Sequence, residues 1–376
     1  MHTPWVPEKR LARALARNEA FWKGELEELP LVWVTVPNAV PGTPPTEPET
    51  DEQQWTDVGY LMAKAEDALS RTHYAADALP IYNPWLGPDQ FSAWLGGNLT
   101  FSTRDNTSWV APFIEDWDRH TDFQIDPSNR WWTKYLEILR ASVQAGRDRW
   151  VTGYPDLHTG IDALGAMRNP ERLMIDLLTI PDTIKTAMGQ MTRLWKEVVD
   201  TVSDIVLPGG QGTTNWTWGW SAKRFACVGQ NDFSCLIGPA MFDEFCLADN
   251  VECCHHVDWT IYHLDGPTAL QHLPRLLEIE RLHCIQWVQG AGKPLPSEWI
   301  PLLKQMQDGG KSVQLLYGGY SGLHQATDIS REIGVLCREL DPTRLFIYVD
   351  ADSVEMADFV ERTVQETCRE KRGRPR

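Results

Sequence analysis

Short runs rich in β-branched and aromatic residues recur along the chain, and a stretch with apolar residues at helical spacing separates each run from the next. This alternation of short strand-forming runs with stretches of helical period is the signature of parallel strands joined by crossover helices. The runs predict strands near 31–37 (LVWVTVP), 78–84, 149–156, 225–232, 260–265, 283–289, 313–318 and 345–350. That many strands in one alternating series favour closure over an open sheet, so the expected fold class is α/β, a single (β/α)8 TIM barrel.

The helical stretches carry their own boundary signals. Ile184, Ala187, Met188, Met191, Leu194, Trp195, Val198, Val199 and Val202 follow the i, i+3, i+4, i+7 spacing of one buried stripe, which predicts a helix packed on the barrel. Asn169 before Pro170 and Glu171 reads as a cap followed by proline in the first turn. Trp299, Ile300, Leu302, Leu303 and Met306 form a second stripe, stopped by Gly309-Gly310. Residues 8–28 predict a helix ahead of the first strand. Asp352 and Glu355 have the spacing of a capping box in front of the last helix, which accounts for Asp352 without a role in a site.

Three stretches lack periodicity. Residues 38–56 are proline-rich and acidic, and a loop after the first strand of a barrel lies on its catalytic face. Residues 85–125 hold Trp85, Trp94, Trp109 and Trp117, and read as an insertion or small hairpin over the barrel mouth. Residues 207–221 contain Pro208-Gly209-Gly210 with Trp216, Trp218 and Trp220. The picture is a barrel with an N-terminal helix and Trp-rich insertions at its mouth. No internal repeat or linker divides it, so residues 1–368 read as one domain. Residues 369–376, with Arg369, Lys371, Arg372, Arg374 and Arg376, read as a flexible basic tail.

Composition narrows the function classes. A hydrophobic share of 42% with 23% charged residues suits a large buried core. The formal charge of -17 repels phosphate backbones and anionic lipid, so neither nucleic acid nor membrane is an expected partner. No cationic segment followed by an apolar stretch opens the chain, and a cytoplasmic location is expected. The eight cysteines include no Cys-x-x-Cys and read as reduced thiols. The 18 tryptophans are suited to cores and to pocket walls.

His263 and Asp265 stand two apart on a predicted strand, so their side chains share a face. They precede the turn Gly266-Pro267, at the strand end where barrel enzymes hold catalytic groups. As a pair they suit general acid–base work with an orienting partner, or two ligands of a divalent metal. The bland alternative is a histidine filling the barrel and an aspartate capping a turn. Asp232 ends the preceding predicted strand and is the third catalytic candidate, against a turn-forming role. Asp350 ends the last strand and joins His263 and Asp265 as a candidate metal ligand. Tyr154 and Asp156, and Gln286 and Trp287, end two further strands and are candidate substrate contacts.

Cys253-Cys254-His255-His256 looks like a metal cluster, but adjacent residues on a helix project about 100° apart and cannot converge on one tetrahedral ion. Gly209-Gly210 and Gly318-Gly319 lack the strand-to-helix context of a phosphate cradle.

The segment TIYHLDGPTALQHLPRLLEIERLHCIQWVQGAG (260–292) resembles the central strand–helix–strand unit of the uroporphyrinogen decarboxylase superfamily, in its large uncharacterised branch. QNDFSCLIGPAMFDEF (230–245) is similar to that superfamily's acidic turn and the helix after it, and NEAFWKGELEELPLVWVTVP (18–37) also fits. The resemblance implies a TIM barrel and one of the superfamily's chemistries: porphyrinogen decarboxylation, methyl transfer between corrinoid proteins and thiols, or that of cobalamin-independent methionine synthase. Val34-Thr35-Val36-Pro37-Asn38 replaces the Arg-rich loop that grips porphyrinogen carboxylates. His263-Leu264-Asp265 stands where the zinc methyltransferases carry His-x-Cys, and Tyr348-Val349-Asp350-Ala351-Asp352 where they place a second cysteine. A hard carboxylate set would replace a soft thiolate one.

The resemblance and the residues together imply a methyltransferase acting on a small molecule, assisted by zinc or another divalent metal and served by a corrinoid carried on a partner protein. A homodimer is a further expectation. The alternatives are a lyase or decarboxylase protonating a carbanion with His263 or Asp232, and a barrel that binds a small molecule without turning it over.

Overall fold

The computed structural model describes residues 1–318 and 326–373. Its strands are β1 (Leu31–Val36), β2 (His73–Ala76), β3 (Ile81–Tyr82), β4 (Leu99–Ser102), β5 (Thr107–Val110), β6 (Val151–Thr152), β7 (Phe225–Gly229), β8 (Trp259–Asp265), β9 (Cys284–Val288), β10 (Ser312–Tyr317) and β11 (Leu345–Asp350). The main sheet runs β2-β1-β11-β10-β9-β8-β7. Every neighbouring pair in it is parallel except β1 with β2, which is antiparallel. The expected neighbours at 260–265, 283–289, 313–318 and 345–350 therefore do lie side by side and parallel. Helices between them give a mixed α/β architecture.

A closed eight-stranded ladder is not what the described residues form. β3 and β6 pair only with each other, in parallel. The reason is local. The run expected at 78–84 contains Pro80 and Pro84, which cannot donate to a ladder, and leaves only Ile81–Tyr82 to pair. The run at 149–156 is cut by Gly153 and Pro155. A β-carbon on Gly153 would collide with Asn83 and Thr214, so glycine there lets β6 approach its neighbours. Residues 213–221 run beside the end of β6: Tyr154 N donates to Thr214 O at 2.9 Å, and Thr213 pairs antiparallel with Ser221.

The sheet buries both faces. Leu31, Trp33, Phe225, Ile261, Cys284, Leu316, Phe346 and Tyr348 point to one side, the inner face. There they pack with Leu11, Ala14, Phe21 and Trp22 of the helix Glu8–Lys23, which falls within the 8–28 helix expected ahead of the first strand. Their sequence neighbours, among them Val32, Val34, Ala226, Tyr262, Leu264, Ile285, Trp287, Val313 and Ile347, point the other way into a second core shared with the helices. Two buried faces explain why the strands read as nearly continuous apolar runs rather than alternating ones.

The helix Pro181–Val206 buries the expected stripe from Ile184 to Val202. Asn169 caps the helix Pro170–Thr179, its side-chain oxygen accepting from Glu171 N and Arg172 N at 3.0 and 3.2 Å. The aperiodic stretches hold more order than their composition predicts. A capping box of Thr50 and Gln53 opens the helix Asp51–Thr56, and β4 and β5 form the small hairpin foreseen within 85–125. The last helix is Val354–Gly373. Ser353, rather than Asp352, caps it by accepting from Met356 N at 3.1 Å. Arg374 and Arg376 of the expected tail, and Gly319 of the glycine pair, lie outside the described residues. No described helix is long and apolar enough to cross a membrane.

Candidate active site

The inner face changes character along the strands. Toward their N-terminal ends it is apolar, with Phe225, Ile261, Cys284 and Phe346. One level further, three neighbouring strands place polar side chains in register: His263 opposite Gln286, and Gln286 opposite Gln314. His263 Nδ1 lies 2.5 Å from Gln286 Oε1. Gln286 Nε2 donates to Gln314 Oε1 at 2.7 Å, and Gln314 Nε2 donates to the Thr217 carbonyl at 2.6 Å. Both glutamines are fully buried, so these bonds are made without competition from water. The Trp216 ring meets the His263 ring edge to face at 5.0 Å, and Trp218 stacks on Tyr348 at 4.3 Å. The segment 213–221 therefore lies against the same face, with Trp216 beside His263 and Trp218 beside Tyr348.

Carboxylates gather at the C-terminal strand ends. Asp265 shares the face of His263 at the exposed end of β8. Burial raises its carboxyl pKa, the His263 charge lowers it and Asp232 raises it further. Asp232 is exposed, at the start of the short turn after β7. That turn is pinned from below, because Asp232 N and Phe233 N donate to the two carboxylate oxygens of Asp162 at 3.1 and 2.9 Å. Burial and the negative charge of Asp232 hold the Asp162 carboxyl well above the usual carboxylate range.

Beside it, His158 Nε2 stands 3.6 Å from Asp156 Oδ2. Burial alone would lower its pKa, but the hydrogen bond and charge of Asp156, with Asp162 and Asp232, raise it to about 9. Gln230 Nε2 donates to the other oxygen of Asp156, and Gln90 Nε2 donates to the Asp156 carbonyl at 2.6 Å. Cys227 on β7 faces the same cluster. Burial, with Asp156 second, pushes its thiol up and keeps it protonated.

The structure thus brings His263, Asp265, Asp232 and Asp156 into one neighbourhood, and turns other candidates away. Trp287 alternates with Gln286, so it lies on the outer face, buried against Trp299 at 5.3 Å. Tyr154 points into the helix layer, where its hydroxyl and that of Ser203 are 2.7 Å apart. Gln286 holds His263 from behind. Asp350 shares the inner face with Tyr348 but ends β11, which β9 and β10 separate from β8. Among the described residues no three His, Cys, Asp or Glu side chains stand close enough to hold a metal ion. His263, Asp265 and Asp350 accordingly do not converge as a metal's donor set among the described residues.

The run Cys253-Cys254-His255-His256 lies on the helix Leu247–His256 and does not converge either. Both cysteines are buried, while His256 Nε2 meets Asp200 at 2.8 Å.

Sequence reasoning missed Cys227, His158, Asp162 and Gln314. Strand parity with Phe225 could have found Cys227, and register with Gln286 could have found Gln314. His158 and Asp162 lie in a loop and on the helix Gly160–Arg168, and only tertiary packing brings them to the site.

The histidine and the carboxylates thus lie at the C-terminal strand ends, the end at which α/β folds hold their ligands. Among solved structures, a methyltransferase from Methanosarcina mazei superposes with a TM-score of 0.58 at 12% identity, over 94% of this chain and 98% of that one. A B12-independent methionine synthase from Shewanella sp. W3-18-1, in complex with selenomethionine, gives a TM-score of 0.45 at 10% identity, over 92% and 98%. The first superposition shows a shared fold. No protein-family profile and no curated protein sequence matches the chain.

Proposed function

We propose that this protein is an enzyme that moves a methyl group to a small acceptor, with His263 as its proton-transfer residue, on an α/β fold of the uroporphyrinogen decarboxylase superfamily. The observation that carries the reading is the placement of His263. It sits on the inner face near the C-terminal end of a parallel strand, held by Nδ1 and flanked by Asp265 and Trp216. The fold shared with the Methanosarcina methyltransferase supports the methyl-transfer part.

In this reading the acceptor gives its proton to His263 Nε2, and the lone pair left behind takes the methyl group. The electrons of the broken methyl bond stay with the donor. Asp265 and Asp232 stabilise the imidazolium that forms, and Trp216 walls the acceptor from water. A corrinoid on a partner protein is the donor class that the sequence resemblance implies. No step is routed through a resident metal.

The test uses methylcobalamin as donor and a panel of thiol, amine and phenol acceptors, following loss of the methyl–cobalt absorbance. Turnover with one acceptor class, lost in His263→Ala, supports the reading. No turnover across the panel overturns it. A carbon–carbon lyase is the second reading, favoured by the carboxyls of Asp162 and Asp265 being held toward their protonated forms. There a carboxylate leaves the substrate as carbon dioxide, and the carbanion takes its proton from His263 or Asp265.

A further inference from the structure

The polar level of the inner face is a directional chain. The Thr217 carbonyl has no proton to give, so whatever meets it must donate. Gln314 meets it with Nε2 at 2.6 Å, which turns the other end of that carboxamide, Oε1, toward Gln286. An amide oxygen only accepts, so Gln286 must present Nε2 there, as it does at 2.7 Å. Its own Oε1 then faces His263 Nδ1 at 2.5 Å, and a contact that short between two acceptors would be repulsive. Nδ1 must therefore carry the hydrogen.

We infer that Gln286 and Gln314 are positioning residues that fix His263 as its Nδ1–H tautomer and present the Nε2 lone pair to the site, with the Thr217 carbonyl as the anchor setting the chain's direction. This deepens the proposed function and rests on His263 being its proton-transfer group.

Several features make the chain fit this role. Strand register, rather than a flexible loop, sets each spacing, since the three residues are direct cross-strand partners. Both carboxamides are buried, so a reversed chain would leave like atoms facing each other with no water to relieve them. The anchor is itself held: Asn215 Oδ1 accepts from Thr217 N at 2.7 Å and from the Thr217 hydroxyl at 2.5 Å. The links are also neutral, so they fix the ring's orientation without adding a charge that would lock its protonation state.

The experiment reads the tautomer directly, without needing a substrate. The full-length protein, labelled with 15N-histidine, is studied by long-range 1H–15N correlation at a pH above the ordinary imidazole range, with His263→Gln used to assign the resonance. The expected result is a protonated Nδ1 and an unprotonated Nε2, favoured at least about tenfold by the buried hydrogen bond. Gln314→Met keeps length and apolar volume but frees Gln286 to rotate, and should convert the signal to a mixture in which Nε2–H is present. Gln286→Met should do the same and serves if the first variant does not fold, as judged by circular dichroism.

A wild-type protein with the hydrogen on Nε2, or a Gln286→Met ring that keeps its Nδ1–H signature undiminished, overturns the inference. Either result is independent of turnover. The acceptor panel with His263→Ala judges the functional reading, and the nitrogen shifts judge the relay.

Discussion

Two histidines stand among the acids at the C-terminal end of the sheet, and they are held in opposite ways. His158 is gripped by a carboxylate, Asp156, with Asp162 and Asp232 nearby, and its pKa is raised to about 9. It stays a cation at neutral pH and is a poor proton carrier there. His263 is held by the neutral carboxamide of Gln286, which sets the orientation of the ring without a charge of its own. A charged partner fixes a charge and a neutral one fixes only an orientation, and in the proposed function it is the second histidine that transfers the proton.

Turnover gives the largest expected separation between the two. His263→Ala should lower kcat by at least about two orders of magnitude, the usual scale for a lost acid–base group. His158→Gln should cost no more than about tenfold. Steady-state kinetics with whichever acceptor the panel identifies would reverse the comparison if the two variants exchanged these magnitudes.

A second separation lies in stability against pH. Because the folded His158 pKa is raised, its contribution is fully present below about pH 6.5 and is lost as pH rises through about 9. Asp162, raised to about 7, loses its contribution as pH rises from the ordinary carboxylate range to about 8, so a window above about pH 8 isolates His158. Thermal unfolding of the wild type should fall between about pH 8 and 9.5 by about 1 kcal/mol, or a few °C. His158→Asn should flatten that slope, and an equally steep slope in the variant would sink the account of how His158 is held.

Asp265→Asn is a smaller change, because Asp265 lies at the exposed end of its strand, where solvent screens its charge. It should lower kcat by roughly tenfold and leave the Nδ1–H tautomer of His263 untouched, since Gln286 sets that tautomer. A shift in the nitrogen resonances of this variant would mean that the carboxylate, and not the amide, orients the ring.

The smallest effect on turnover is expected from Trp287→Phe. Its ring packs against Trp299 on the helix side of the sheet, so kcat should change less than about threefold while stability falls by about 1 kcal/mol. Kinetics and chemical unfolding on one sample check both parts. A large loss of kcat without loss of stability would place that side chain in the site after all.

Much of this fold was legible in the chain. The parallel run β8-β9-β10-β11 is dictated by four apolar segments separated by helical stripes, and the Asn169 cap and the stripe from Ile184 to Val202 came from spacing alone. His263 and Asp265 share a face because strand parity leaves no other choice. The same rule, applied one residue further along, would have sent Trp287 away from Gln286, to the helix side.

What the tertiary structure decided is which distant groups meet. Pro80, Gly153 and Pro155 shorten two strands, and the segment 213–221, which reads as a loop, moves in to supply Trp216 and the Thr217 carbonyl. No local pattern could put Asp162 beneath Asp232, or Asp156 beside His158, because those contacts are set by how helices and loops dock after the strands have paired. Local sequence fixes dihedral preferences and the face a side chain takes, and these act over a few residues. The charge and protonation of a site depend on partners tens to hundreds of residues away, and those are assembled only when both faces of the sheet are buried together.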